Sequence, residues 1–349
     1  MLTGTRVMAT DEVETTGPPR PCRPAAWLQG IVLAFLAFLA ILAVPASSRA
    51  EEAAKPDCPV FLAVLGVAQD AGRPQIGHHE DPAWADPSLR RHATALALID
   101  RREGNGAPRR WLFEATPDIA EQLYALDRIA PSASPVALDG IFLTHAHIGH
   151  YAGLMMLGHE AAGAASIPVY VMPRMAEYLK NNGPWSQLVR YDNIELTALA
   201  NERPEAIAAD IEVTPVLVPH RQEYSEVVGF TISGPSRAVL FIPDIDRWSD
   251  WDEQGVRVEA RVAGVDRAYL DGTFYSGDEL PGRDMSKIPH PPVAASLERF
   301  AALGATERSK IHFIHFNHTN PLLSPAAPER EAVAAAGMRI AEEGDRYCL

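Results

Sequence analysis

The segment Ile141-Phe-Leu-Thr-His-Ala-His-Ile-Gly-His150-Tyr-Ala-Gly-Leu154 constrains the fold more than any other stretch of the chain. A β-rich apolar run ends at Leu143, histidines follow at positions 145, 147 and 150, and a helical pattern opens at Gly149. If the strand continued, His145 and His147 would share one face. In a loop leaving the strand they can converge on one ion, and His150, in the first helical turn, then reaches the same side. A lone imidazole is most often a hydrogen-bonded partner of some carboxylate. Three within six positions at a strand-to-helix junction have the spacing of metal ligands.

Other strand ends add to this set. His220 closes Val216-Leu-Val-Pro-His, and Asp244 closes Val239-Leu-Phe-Ile-Pro-Asp. A second cluster reads Ile311-His-Phe-Ile-His-Phe-Asn-His-Thr-Asn-Pro321. Within that strand His312 and His315 point to opposite faces, while His318 lies past the strand end in a loop closed by Asn320-Pro321, where a ligand is easily presented. His318 is therefore the expected ligand, and His312, His159 and His92 are left as ordinary structural histidines. Neutral imidazoles and carboxylates at several strand ends suit Zn²⁺ or a similar borderline ion.

The polypeptide has 349 residues, 47% of them apolar and 22% charged, ample for a core. Its formal net charge of -14 argues against a nucleic-acid partner, because neutralising phosphates needs clustered Lys and Arg. Three widely spaced cysteines contain no C-x-x-C pair, which excludes zinc-finger chemistry. Short β-rich runs recur from Val60 to Phe316, with helical patterns at Asp118–Ala125, Gly149–Glu160, Pro173–Asn181, Val293–Leu303 and Glu329–Ala335. Strands outnumber helices and often follow one another directly. This predicts layered α/β with largely hairpin-connected sheets, and no linker divides the chain after residue 60.

Residues Ile31–Val44 form an apolar run of fourteen, preceded by Arg20 and Arg23 and followed by Ser48-Arg49-Ala50. That length suits a signal-peptide core and is short for a membrane span. Residues 1–50 are read as a cleaved leader, residues 51–59 as a short lead and residues 60–349 as the domain. The alternatives are a start at Met8 or an uncleaved anchor. The expected location is periplasmic or secreted, with no membrane contact after cleavage. Export permits disulfides, and Cys58 and Cys348 survive in the mature chain. A bridge and two free thiols are equally open, since spacing cannot supply the geometry.

Thr144-His-Ala-His-Ile-Gly-His150 resembles the T-H-x-H-x-D-H signature of the metallo-β-lactamase superfamily. Leu65-Gly-Val-Ala-Gln-Asp-Ala-Gly-Arg-Pro-Gln75, Ala115-Thr-Pro-Asp118, Leu270-Asp-Gly-Thr-Phe274 and His318-Thr-Asn-Pro321 are similar to its branch around pyrroloquinoline quinone biosynthesis protein B. The resemblance implies a single-domain αββα sandwich with a metal site at one edge of two sheets. It implies a first site of His145, His147 and His220, a bridging Asp244, and a second site with His150 and His318. Gly149 stands where the superfamily carries an Asp that binds the second metal and orients the attacking hydroxide. Asp246 and Asp271 are the candidates to replace it, and Gly149→Asp is expected to raise metal content and hydrolysis.

The implied activity is metal-dependent hydrolysis of a small-molecule ester, lactone, amide or phosphodiester, with one or two Zn²⁺, or Fe or Mn. Asp244 or Asp271 would accept the proton. Gln69, Asp70, Tyr224, Asn317 and Asn320 are candidate positioning residues, each also readable as turn or capping chemistry. The rivals are iron-dependent hydroxylation of the kind implied for the quinone-cofactor branch and an exported metal-binding protein without catalysis. Oligomeric state is not legible.

Overall fold

The run Val60–Gly66 alternates two sets of apolar side chains. Val60, Leu62 and Val64 join one buried cluster, while Phe61, Ala63 and Leu65 join another. A strand buried on both faces must read as continuously apolar, and that is why this one carries no polar alternation. The same division repeats in Leu96 and Leu98 against Ala95, Ala97 and Ile99. One cluster fills the space between the two sheets and continues beneath the helices on the second sheet; the other lies beneath the helices on the first.

The computed structural model describes residues 58–102, 106–132, 134 and 136–349. The expected leader and most of the lead after it lie outside the described residues. The described residues from Cys58 to Leu349 form one compact unit. In chain order its elements are β1 (Val60–Gly66), β2 (Ala95–Asp100), β3 (Arg109–Phe113), α1 (Ile119–Ile129), β4 (Gly140–Phe142), α2 (Ile148–Tyr151), β5 (Ile167–Val171), α3 (Pro173–Asn181), α4 (Trp185–Arg190) and β6 (Ile194–Ala198). The second half holds β7 (Glu205–Ala208), β8 (Ile211–Leu217), β9 (Val228–Ser233), β10 (Ala238–Ile242), α5 (Trp248–Glu253), α6 (Val258–Ala263), β11 (Arg267–Asp271), α7 (Val293–Phe300), α8 (Ala305–Lys310), β12 (Ile311–Ile314), α9 (Pro328–Ala335), β13 (Arg339–Ile340) and β14 (Arg346–Cys348). Among the described residues no helix is long and apolar enough to cross a membrane.

The strands form two seven-stranded sheets, ordered β14-β1-β2-β3-β4-β5-β6 and β13-β12-β11-β10-β9-β8-β7. The αββα expectation is met. The hairpin expectation holds for half of each sheet only. Strands β1 to β3 and β7 to β10 run antiparallel, whereas β3 to β6 and β10 to β13 pair in parallel. Each parallel step needs a crossover, and these carry α1, α2, α3 with α4, α5 with α6, α7 with α8, and α9 in turn. Phe113, Phe142, Phe230 and Phe241 lock the sheets face to face, with Phe113–Phe230 centroids 5.7 Å apart and Phe142–Phe230 5.6 Å. Truncating Phe230 to Ala would cost about 3–5 kcal/mol.

Topology positions the site. Strands β1, β3 and β4 point one way in the first sheet, and β8, β10, β11 and β12 share a direction in the second. Their carboxyl ends therefore form common rims, the usual place for ligand chemistry in α/β proteins. The expected helix over Gly149–Glu160 is broken: α2 has one turn, and Ala152–Leu157 continues as a 3-10 helix. The cause is a competing backbone partner, since Ala115 N donates to His150 O (2.9 Å) and Gly153 N donates to Ala115 O (2.8 Å).

Cys58 and Cys348 are joined, closing a separation of 290 residues. The bridge stands where β1 pairs with β14, with Phe61 opposite Cys348.

Candidate metal centre

The turn after β4 is set by Glu114, a fully buried residue in the left-handed backbone region (φ 79°) just past β3. Non-glycine residues held there mark places where the fold imposes a conformation. Glu114 accepts from the Thr144 hydroxyl at 2.5 Å and from Thr144 N at 3.3 Å. With its proton committed to Glu114, Thr144 Oγ1 can only accept from His145 Nδ1, 2.8 Å away. The network thereby assigns the His145 proton to Nδ1 and leaves the Nε2 lone pair facing inward. That Nε2 is buried with no hydrogen-bond partner.

His220, just past β8, is oriented in the same way. Its Nδ1 lies 2.7 Å from Asp246 Oδ1, and its Nε2 faces His147 Nδ1 at 3.1 Å. The outer nitrogen of His147 meets Glu223 Oε2 at 3.1 Å. Ser225 fixes the loop between them by accepting from Ala146 N at 2.9 Å. One ligand atom each from His145, His147 and His220 falls within a common 4.8 Å.

The other half is built from more distant pieces. His150 sits on α2, His315 is the first residue beyond β12, and Asp70 lies in the loop after β1; their ligand atoms also fall within 4.8 Å of one another. His315 repeats the relay of His145. Thr273 Oγ1 donates to Asp271 Oδ1 (2.7 Å) and faces His315 Nδ1 (3.0 Å), so His315 Nε2 turns inward, buried and unpartnered. His150 Nε2 is also buried without a hydrogen bond, although it lies 2.9 Å from Asp244 Oδ2.

Asp244 stands between the halves. Its carboxylate oxygens lie 3.5 Å from His145 Nε2, 3.4 Å from His315 Nε2, 3.8 Å from His220 Nε2 and 3.5 Å from His290 Nδ1. Burial alone would raise its pKa, but the surrounding imidazoles, His315 foremost, hold it well below the usual carboxylate range. Burial, followed by the His150 charge, pushes His145 well below its ordinary value. Burial also opposes protonation of His150, yet Glu114, Asp244 and Asp70 together raise it well above.

A buried imidazole nitrogen without a partner costs about 1–3 kcal/mol. The unpartnered Nε2 lone pairs of His145 and His315 beside one carboxylate, with His150 Nε2 crowded onto the same oxygen at 2.9 Å, are poor packing unless a cation completes them. Nitrogen and carboxylate donors in this number fit a zinc-type ion. The residues present therefore fit the metal that the sequence implies.

The structure brings His145, His147, His150, His220 and Asp244 together and corrects the rest of the expected set. His318 belongs to none of the ligand clusters among the described residues. Its ring packs tilted against His78 at 3.9 Å in a pocket with Arg73 and Asp81, and burial, then His78, pushes its pKa down to about 4. Because β12 ends at Ile314, His315 takes the strand-end position that His318 was assigned. Asp271 is saturated. Its Oδ1 accepts from Thr273 N and Oγ1, and its Oδ2 from Ile245 N (3.0 Å) and His290 Nδ1 (2.8 Å), which leaves no lone pair for a substrate proton. Asp246 is engaged with His220 and does not move into the second half.

An Asp at position 149 has no room. A Cβ added to Gly149 would lie 2.3 Å from Asp70 Cα and 2.5 Å from Asp70 Oδ1. Among the positioning candidates, Asn317 donates to Gln69 Oε1 (2.6 Å) and Asn320 donates to Gly272 O (2.8 Å), so both brace the rim. Tyr224 is exposed and stacks on Tyr178 at 5.0 Å. Glu114 and His290 were missed: the first looks like any polar residue ending a strand, and the second lies in a long segment without periodicity. His290 hydrogen-bonds Asp271, whose charge raises its pKa to about 9 against the opposing effect of burial.

The family described as beta-lactamase superfamily domain matches residues 109–316. Coenzyme PQQ synthesis protein B of Xanthomonas campestris pv. campestris (strain B100) is 26% identical over 312 residues, covering 81% of this chain and 98% of that protein. The protein of the same name from Methylobacterium radiotolerans is 27% identical over 306 residues, covering 81% and 98%. Zn(2+)-bound PqqB from Methylobacterium extorquens superposes with a TM-score of 0.68 at 23% identity, covering 83% of this chain and 100% of that one. A diphosphatase from the PhnP family superposes at 0.56 with 20% identity, covering 83% and 98%. A rim of imidazoles around one carboxylate, between two mixed sheets flanked by helices, agrees with these likenesses. The chain belongs to the beta-lactamase superfamily and is, within it, a PqqB-like protein of the metallo-β-lactamase fold.

Proposed function

We propose that this protein is an exported, metal-dependent hydrolase of a small-molecule ester, lactone, amide or phosphodiester. One observation carries the reading: the buried Nε2 atoms of His145, His150 and His315 have no hydrogen-bond partner and all face Asp244. Zinc bound there would polarise the scissile oxygen and lower the pKa of a bound water to about 7.

His145, His147 and His220 would hold one ion, and His150, His315 and Asp244 would serve a second. Thr144 and Thr273 keep the protons of His145 and His315 on Nδ1, so neither ring has to rotate or shed a proton to ligate. A carboxylate held as far down as Asp244 is a weak base; its part is to carry negative charge between the halves. Beside His147, a pocket of about 420 Å³ is lined by Tyr178, Tyr224, Arg174 and Glu223 and offers an aromatic face to a substrate. Export is supported by the apolar leader and by the joined Cys58 and Cys348.

The test is turnover of chromogenic esters, lactones and phosphodiesters by the zinc-loaded chain, with His145→Ala as control. Bound zinc without turnover of any of them would favour a binding protein. A second reading, a step in quinone-cofactor synthesis using iron and oxygen, draws on relatives named Coenzyme PQQ synthesis protein B. Iron in the purified protein, with oxygen consumption and no hydrolysis, would favour that reading.

A further inference from the structure

The loop after β1 carries an acid into the one part of the rim that α2 leaves bare. We propose that Asp70 is the carboxylate ligand of the second half of the centre, reaching in from the β1 loop through the space that Gly149 keeps open. This rests on the reading that the centre holds metal, and it names a residue that takes over the place of an acid on the helix.

The geometry is specific on each point. Asp70 Oδ1 lies 3.5 Å from His150 Nε2, and Asp70, His150 and His315 offer ligand atoms within a common 4.8 Å. The buried Nε2 atoms of His150 and His315 face this cluster with no hydrogen-bond partner. A Cβ on residue 149 would overlap Asp70 Cα at 2.3 Å, so even alanine there would displace the loop. Glycine at 149 and Asp at 70 are thus mutually dependent.

The loop is held for the task. Gln69 N donates to Phe316 O (2.8 Å) and Phe316 N donates to Val67 O (2.8 Å), tying residues 67–69 to the residue after His315. Asn317 adds a side-chain bond to Gln69 at 2.6 Å. Asp70 itself adopts φ 37°, a left-handed conformation that Asp tolerates better than most residues. Backbone pairing therefore fixes Asp70 relative to His315, and Gly149 fixes it relative to His150.

The experiment measures zinc per chain in the full-length protein by elemental analysis, and affinity by competition with a chromogenic chelator. Wild type is expected to bind two ions. Asp70→Asn, which keeps size and removes the charge, should bind about one and weaken the second site more than about 100-fold, beyond the 10–100-fold typical of outer partners. Gly149→Asp alone should also lose the second ion, by collision. Two ions retained by Asp70→Asn at unchanged affinity would overturn the proposal while leaving the hydrolase reading intact. Wild type without metal would overturn both. Circular dichroism on each variant separates ligand loss from unfolding.

Discussion

The two halves of the centre use the same chemistry but are assembled differently. The half around His145 and His147 comes from one short loop, completed by His220. The half around His150 draws on Asp70 and His315, which reach it from opposite ends of the domain. Both use a carboxylate–threonine–histidine relay, Glu114–Thr144–His145 and Asp271–Thr273–His315. A ligand set close in sequence is positioned by a single turn. A dispersed set is only as well placed as the long-range pairings that hold it, and those pairings are what can be broken separately.

The largest expected effect is at the local half. His145→Ala or His147→Ala should abolish metal binding there and reduce hydrolysis by about 10³-fold or more. His318→Ala should leave metal content unchanged. Elemental analysis and initial rates check both, and a metal loss in His318→Ala equal to that in His145→Ala would undo the assignment of the dispersed half.

Next comes the bridge. Reduction, or Cys348→Ser, removes a cross-link spanning 290 residues, worth about 6 kcal/mol by loop-closure entropy. The bridge ties β14 to β1, whose far end carries the Asp70 loop. Melts with and without reductant should show the loss of stability, and zinc binding should weaken at the second ion before the first. Equal weakening at both would show that the halves are not mechanically separate.

The relays offer a finer comparison. Thr144→Val should weaken the first ion and Thr273→Val the second, each by about 10–100-fold, with the other site nearly unaffected. Isothermal titration would resolve the two. An unselective loss would mean that the hydroxyls support the rim as a whole.

The smallest effect is electrostatic and appears in the chelated, metal-free chain. Burial and His150 depress the pKa of His145 below 6.5, so its neutral form is favoured by the fold and that contribution is lost as pH falls below 6.5. The pKa of His150 is raised above 6.5 by Glu114, Asp244 and Asp70 against burial, so its contribution is full below 6.5 and lost as pH rises toward the folded value. Relative to wild type, His145→Gln should therefore gain stability on going from pH 8 to pH 5.5, and His150→Gln should lose it. Urea melts at the two pH values test this, and slopes of the same sign would refute it.

Much of this was legible in the chain. The T-H-x-H-x-G-H segment exposes itself because its ligands are neighbours in sequence, and the strand ends at His220 and Asp244 follow from apolar runs stopping at polar residues. His315 was passed over for His318 because three histidines at intervals of three do not reveal where a strand stops. The end of β12 at Ile314 decides it, through parallel pairing with β11. His290 carried no pattern at all. Asp70 was visible as a polar residue after β1, but nothing along the chain says that it lies over Gly149. The long helix expected from Gly149 failed for a related reason, since backbone groups at Ala115 competed for its hydrogen bonds.

Sequence by itself determined the layered sandwich, because apolar runs buried on both faces and punctuated by turns have few other solutions. It determined the first three imidazoles of the centre, because their spacing is a local property. Tertiary structure alone decided which histidine closes the second half, which acid enters it, and whether Cys58 meets Cys348. Each of those depends on strand register and sheet order, and these bring together side chains that the chain keeps hundreds of residues apart.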